Sequence, residues 1–174
     1  MKLTKKISFA AILSALSFLI LLVGCVIDTV TLTAAAIASL CIVVAVIELG
    51  YTYSLLVYFS VSILAFLLLP VKDPLLYFAG FFGYYPIVKN LAEKANKVLS
   101  YVIKGVAFSV AFVAIYFVGI KFFAPEVTIK PTIVFVAYLV LLIVFYLFDY
   151  ALNKLTVSYI NRLRKRMRID DLLK

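Results

Sequence analysis

The sequence predicts an all-α polytopic membrane protein, a bundle of about six transmembrane helices with a short, broken fourth helix. Three observations predict it. Apolar residues make up 67% of the 174 residues and charged residues 14%, against about 45–50% and about 25% in soluble domains. The apolar residues gather in long runs, and roughly 20 such residues cross a hydrocarbon core. Each gap between runs carries charge, Gly or Pro, as loop chemistry requires. So much apolar surface cannot be hidden from water by a chain of this size. Lipid is the expected solvent, which excludes a secreted domain, a cytosolic enzyme and a disordered tail.

The first run, Ile7 to Ile27, follows a basic start that contains Lys2, Lys5 and Lys6. A cleaved signal has an apolar core of about 7–15 residues. This run is longer and more spans follow, so it reads as a retained helix. Asp28-Thr29 separates it from the second run, Val30 to Ile47, whose start is rich in Thr and Ala. Small residues let helices pack closely in lipid. The third run, Tyr51 to Leu69, is bounded by Glu48-Leu49-Gly50 and by Pro70. The fourth, Leu75 to Val88, covers only about 21 Å as a helix at 1.5 Å per residue. It also contains Gly80, Gly83 and Pro86, so it reads as a short, bent span or a re-entrant segment. The fifth run is Tyr101 to Phe123 and the sixth Pro131 to about Leu152.

Charge placement chooses between these readings of the fourth run. With six spans and a cytoplasmic start, 14 of the 17 Lys and Arg lie inside, and only Lys72, Lys121 and Lys130 lie outside. That is the bias expected of cytoplasmic loops. Without a fourth crossing, the basic run Arg162 to Arg168 would lie outside, against the bias. Six spans are therefore expected, in a cell membrane, with both termini cytoplasmic. Residues 1–160 form the transmembrane domain and 161–174 a basic cytoplasmic tail. The tail reads as an anchor on anionic lipid headgroups or as a docking surface for a cytoplasmic partner. Nucleic acid is not an expected partner, because no folded soluble domain remains to present the patch.

Charges near a membrane are costly and therefore informative. Glu48, Asp149, Lys89 and Lys104 fall at a similar depth on the cytoplasmic side, so Glu48/Asp149 are expected to pair with Lys89/Lys104. Such pairs serve as a structural belt or as a gating network. The outer side carries Asp28, Thr31, Lys72, Asp73, Tyr77 and Lys121, which are either solvated loop residues or a polar lid over a substrate pocket. In Gly80-Phe-Phe-Gly83-Tyr-Tyr-Pro86, glycines permit close approach and Pro86 frees a carbonyl. That stretch reads as an aromatic belt or as a ligand surface built from Tyr84 and Tyr85. Cys25 and Cys41 differ in depth, which argues against a disulfide. With no histidine and no metal-ligand spacing, neither a metal, a cofactor nor catalysis is expected. No phosphate-binding Gly-rich loop is present, so the chain cannot drive itself with ATP.

On the first helix, Ala11-Ile-Leu-Ser-Ala15 is a small-xxx-small motif beside Ser8 and Ser14. It suits packing within the chain or docking of another membrane subunit. Six short spans, a basic N-terminus and Ala11-x-x-x-Ala15 together resemble the substrate-binding S components of energy-coupling factor (ECF) vitamin transporters. The resemblance covers the layout of nearly the whole chain. It implies that Ala11 and Ala15 dock a transmembrane coupling subunit, and that two cytoplasmic ATPases supply the energy. It also implies a small-molecule substrate such as a vitamin, bound near the outer face. The competing expectation is a membrane structural or assembly protein that docks a partner through its basic tail.

Overall fold

The computed structural model describes residues 3–94, 96–118 and 131–163. These residues are almost wholly helical, with no strand among them. The long helices are α1 (Leu3–Val26), α2 (Thr31–Glu48) and α3 (Tyr51–Leu68). A broken fourth segment follows, made of α4 (Asp73–Tyr77), a π-helical turn (Phe78–Phe82) and α5 (Tyr85–Ala92). Then come α6 (Lys97–Val118) and α7 (Pro131–Ser158), which ends in a second π-helical turn, Tyr159–Leu163. Among the described residues, five helices (α1, α2, α3, α6 and α7) are long and apolar enough to cross a membrane. The protein is therefore an all-α, polytopic membrane protein. Lys121, Glu126, Lys130 and the tail beyond Leu163 lie outside the described residues.

The fourth segment is longer than its apolar run suggests. Pro74 sits in the first turn of α4, where its missing N–H is no loss. At the other end the helix continues through Lys89 to Ala92. Roughly 20 residues would reach across a hydrocarbon core if helical throughout. The sixth segment is likewise longer than expected: α7 runs past Leu152 to Ser158, because Asn153 to Ser158 contains no Gly or Pro to stop it.

The chain divides into two compact units, residues 3–115 and a second built mainly from residues 116–174. In the first, α1, α2 and α3 pack on one another, and the fourth segment packs against α2 and α3. One face of α1 is buried, carrying Ala10, Leu13, Ser17, Leu21 and Gly24. It meets a face of α2 carrying Ala34, Ala35, Ala38, Ile42 and Ala45. Both sets recur at three- and four-residue steps, the period of one helical face. The two backbones approach so closely at one point that a Cβ on Gly24 would overlap the Ala34 Cβ. The Ser17 hydroxyl donates across this contact to the Ala38 carbonyl at 3.2 Å. In lipid, small residues and such polar links take over from hydrophobic burial as the source of helix association.

A tight turn joins α2 to α3 and fixes one end of the unit, the Gly50 end. Gly50 has φ +87°, a region that costs a side chain strain and glycine none. Its carbonyl then receives both the amide (3.2 Å) and the hydroxyl (2.7 Å) of Ser54, which starts α3 without a side-chain N-cap. The opposite end, the Pro70 end, holds the link from α3 to α4. There the Cys25 thiol lies 3.7 Å from the Val71 carbonyl, tying the end of α1 to that link. Outward faces remain apolar: Ile12 and Leu19 on α1, Phe59 and Ile63 on α3, and Ile143 and Leu147 on α7 are exposed.

Candidate functional site

The chemistry-bearing residues of the first unit fall at its two ends, and the broken fourth segment runs between them. At the Gly50 end, two lysines that belong to helices are buried, Lys89 on α5 and Lys104 on α6. An ammonium in an apolar interior is costly unless paired. Both reach the same carboxylate oxygen: Glu93 Oε1 lies 3.1 Å from Lys89 Nζ and 2.9 Å from Lys104 Nζ. Glu93 itself stays 41% exposed at its side chain, so one partly solvated carboxylate bridges lysines from two helices. Beside it, the Tyr51 hydroxyl donates to Asn90 Oδ1 at 2.6 Å, joining α3 to α5. Lys94 Nζ sits 4.7 Å from the centre of the Tyr51 ring, within cation–π range.

The expected charge network thus has Lys89 and Lys104 together, held by a carboxylate that sequence reasoning missed. Glu93 has a weak local signal, its four-residue spacing from Lys89. Its position in the turn after α5 hides the contact with Lys104. Glu48 is the last residue of α2 and half-buried, and Asp149 is buried on α7, in the second unit.

The middle of the fourth segment is built around Tyr58 of α3. The Gly83 amide donates to the Phe78 carbonyl, five residues back, at 2.7 Å. An α-helix would direct that amide to Ala79 O, four residues back. The Tyr58 hydroxyl donates to Ala79 O instead, at 2.9 Å. A Cβ on Gly83 would stand 2.6 Å from the Tyr58 ring, and one on Gly80 would stand 2.7 Å from Ile115 of α6. These two glycines let α3 and α6 press against the segment's backbone. Aromatic rings fill the remaining space. Tyr85 is fully buried and stacks on Phe81 at 4.9 Å, and Phe81 meets Phe108 edge-on at 5.9 Å. Tyr85 is therefore an interior packing residue rather than a platform open to a ligand. Tyr58 carried no local signal, since its partner carbonyl is 21 residues away in sequence.

At the Pro70 end, the 3-10 turn Asp28–Val30 leads into α2, which starts at Thr31. Helix α4 packs against α1 and α2, which brings Asp73 and Tyr77 to the same end as Asp28 and Thr31. Asp73 is exposed; Thr31 and Tyr77 are half-buried. Lys72 serves the fold directly, since its ammonium donates to Phe66 O and Leu69 O, both at 2.6 Å. These are carbonyls at the C-terminal end of α3, where a helix leaves acceptors unmet and favours a cation. Lys121 lies outside the described residues.

Helix α1 presents a different surface. Thr4, Ser8, Ala11 and Ala15 are all exposed, and their steps of four, three and four residues place them on one helical face. This face lies away from the buried Leu13, Ser17 and Leu21. No family model matches the chain, and no curated protein or solved structure gives a significant match.

Proposed function

We propose that the chain is the substrate-binding membrane subunit of an ECF-type importer that takes up a small nutrient such as a vitamin. The observation that carries the reading is the outward-facing stripe Ser8, Ala11 and Ala15 on α1. Side chains this small on an exposed helix face allow close approach by a helix from another subunit. Within the first unit α2 and α3 pack on α1, whose buried face carries Leu13, Ser17 and Leu21, so the stripe is left to another subunit. Ala11 and Ala15 contact the transmembrane coupling subunit in this reading, and two cytoplasmic ATPases supply the energy. The substrate enters at the Pro70 end, among Asp28, Thr31, Asp73 and Tyr77. The Gly50 end, with Lys89, Glu93 and Lys104, faces the cytoplasm, as do both termini of a protein in the cell membrane.

Co-purification in mild detergent tests the reading. The chain is expected to bring down a membrane coupling subunit and ATPases, and Ala11→Leu or Ala15→Leu is expected to abolish recovery. Both sites are exposed, so either variant should fold. Undiminished complex formation would overturn the docking role. Recovery of a partner that depends instead on Arg162 to Arg168 would favour a structural or assembly protein. For orientation, a C-terminal reporter active only in the cytoplasm is expected to be active.

A further inference from the structure

We propose that the fourth segment is a two-register switch, in which the Gly83 amide moves between the Phe78 and Ala79 carbonyls and Tyr58 holds the observed register. In the observed register Gly83 N–H bonds Phe78 O, and Ala79 O is served by the Tyr58 hydroxyl. In an α register Gly83 N–H serves Ala79 O, and the backbone needs no donor from outside. The π register therefore exists on loan of one hydroxyl from α3. A π-turn is equivalent to one residue inserted in a helix, and such turns gather at functional sites.

Two features keep the exchange local. Pro86, in the first turn of α5, has no N–H to donate, so the hydrogen-bond ladder is already interrupted there. The chain restarts there with the Ile87 and Val88 amides both on Tyr84 O, at 3.0 and 3.1 Å. A shift of one register upstream thus need not break α5. It turns α5 relative to α4 by about 100°, the rotation of one helical residue. Helix α5 carries Lys89 and Asn90 and leads to Glu93, so the turn would pull Asn90 from Tyr51 and rearrange the Glu93 clasp on Lys104. Helix α4 carries Asp73 and Tyr77 at the other end. The segment is thereby a mechanical link between the polar groups of the Pro70 end and the charge cluster of the Gly50 end.

The test reads the rotation of α5 directly. Nitroxides are placed at Leu91→Cys on α5 and Ile12→Cys on α1, both exposed, in the full chain in lipid nanodiscs, with Cys25 and Cys41 changed to Ala. Electron–electron double resonance is expected to give one main distance. Tyr58→Phe is expected to add a second distance population, by shifting the register equilibrium roughly tenfold, the worth of a buried hydrogen bond. Deleting Phe82 removes the inserted residue, so it is expected to keep the parental distance and to make it insensitive to Tyr58→Phe. An unchanged distribution in Tyr58→Phe overturns the switch. A second population that survives the deletion also overturns it, since the change is then lost packing rather than register. Should Tyr58→Phe not fold, the parent and the deletion are compared: a minor second distance present in the parent and absent from the deletion supports the switch, and identical distributions refute it.

Discussion

Lys89 and Lys104 lie in an apolar interior, and Glu93 lies within 3.1 Å of both. Removing one partner of a buried ion pair costs several kcal/mol, whereas an exposed pair is worth at most about 1 kcal/mol. Glu93 is partly exposed, so Glu93→Gln is expected to cost an intermediate amount, about 1–2 kcal/mol. A lowered thermal midpoint in detergent is the check, and an unchanged midpoint would show that the lysines are held by other groups. Gly83→Ala forces a methyl against the Tyr58 ring. Overpacking of this kind costs about 1–3 kcal/mol, and the same melting experiment reads it. At this scale the two lysines were legible in the sequence, since a charge among apolar neighbours is conspicuous anywhere. Their carboxylate was not, because Glu93 sits in a turn and reaches Lys104 only when α5 and α6 are side by side. The Tyr58–Ala79 bond was illegible for the same reason: a carbonyl freed by local geometry is matched by a distant hydroxyl.

Among the helices, α1 divides its labour between two faces. Its buried face meets α2 through Gly24, Ser17 and Leu21, while Ala11 and Ala15 stay outside. Ala11→Leu should therefore change stability by no more than about 0.5 kcal/mol, as is usual for exposed sites away from special features. A loss of partner recovery with an unchanged melting curve is the expected pair of results. Lys72, at the Pro70 end, caps α3 through Phe66 O and Leu69 O. Lys72→Gln is expected to lower stability by about 1 kcal/mol, the scale of a charge at a helix C-terminus with its hydrogen bonds. Hydrogen exchange at the last turn of α3 should rise in that variant, and unaltered exchange there would refute the cap. The break in the fourth segment was legible from Gly80, Gly83 and Pro86. Its register was not, because glycine and proline mark where a ladder weakens without choosing the carbonyl each amide takes.

For the whole molecule, lipid is the partner that the exposed surface demands. Ile12, Phe59 and Ile143 point outward from helices long enough to span a bilayer. Nitroxides at these positions in nanodiscs are expected to collide with oxygen far more than with a water-soluble nickel chelate. The reverse ranking would mean that these faces meet water. The sequence alone determined the solvent, the helical class, the approximate spans and the place where one span is interrupted. Those properties depend on composition and on residues adjacent in the chain, which can be read without folding it. Only the tertiary structure decided which face of α1 turns inward, which carboxylate bridges the two lysines and which hydroxyl meets the Ala79 carbonyl. The physical reason is that helices in lipid are apolar on nearly every side. Periodicity then no longer points to the core, and small residues serve equally for internal and external packing. The choice between them is made by close fits such as Gly24 on Ala34 and Gly83 on Tyr58, between residues far apart in the chain.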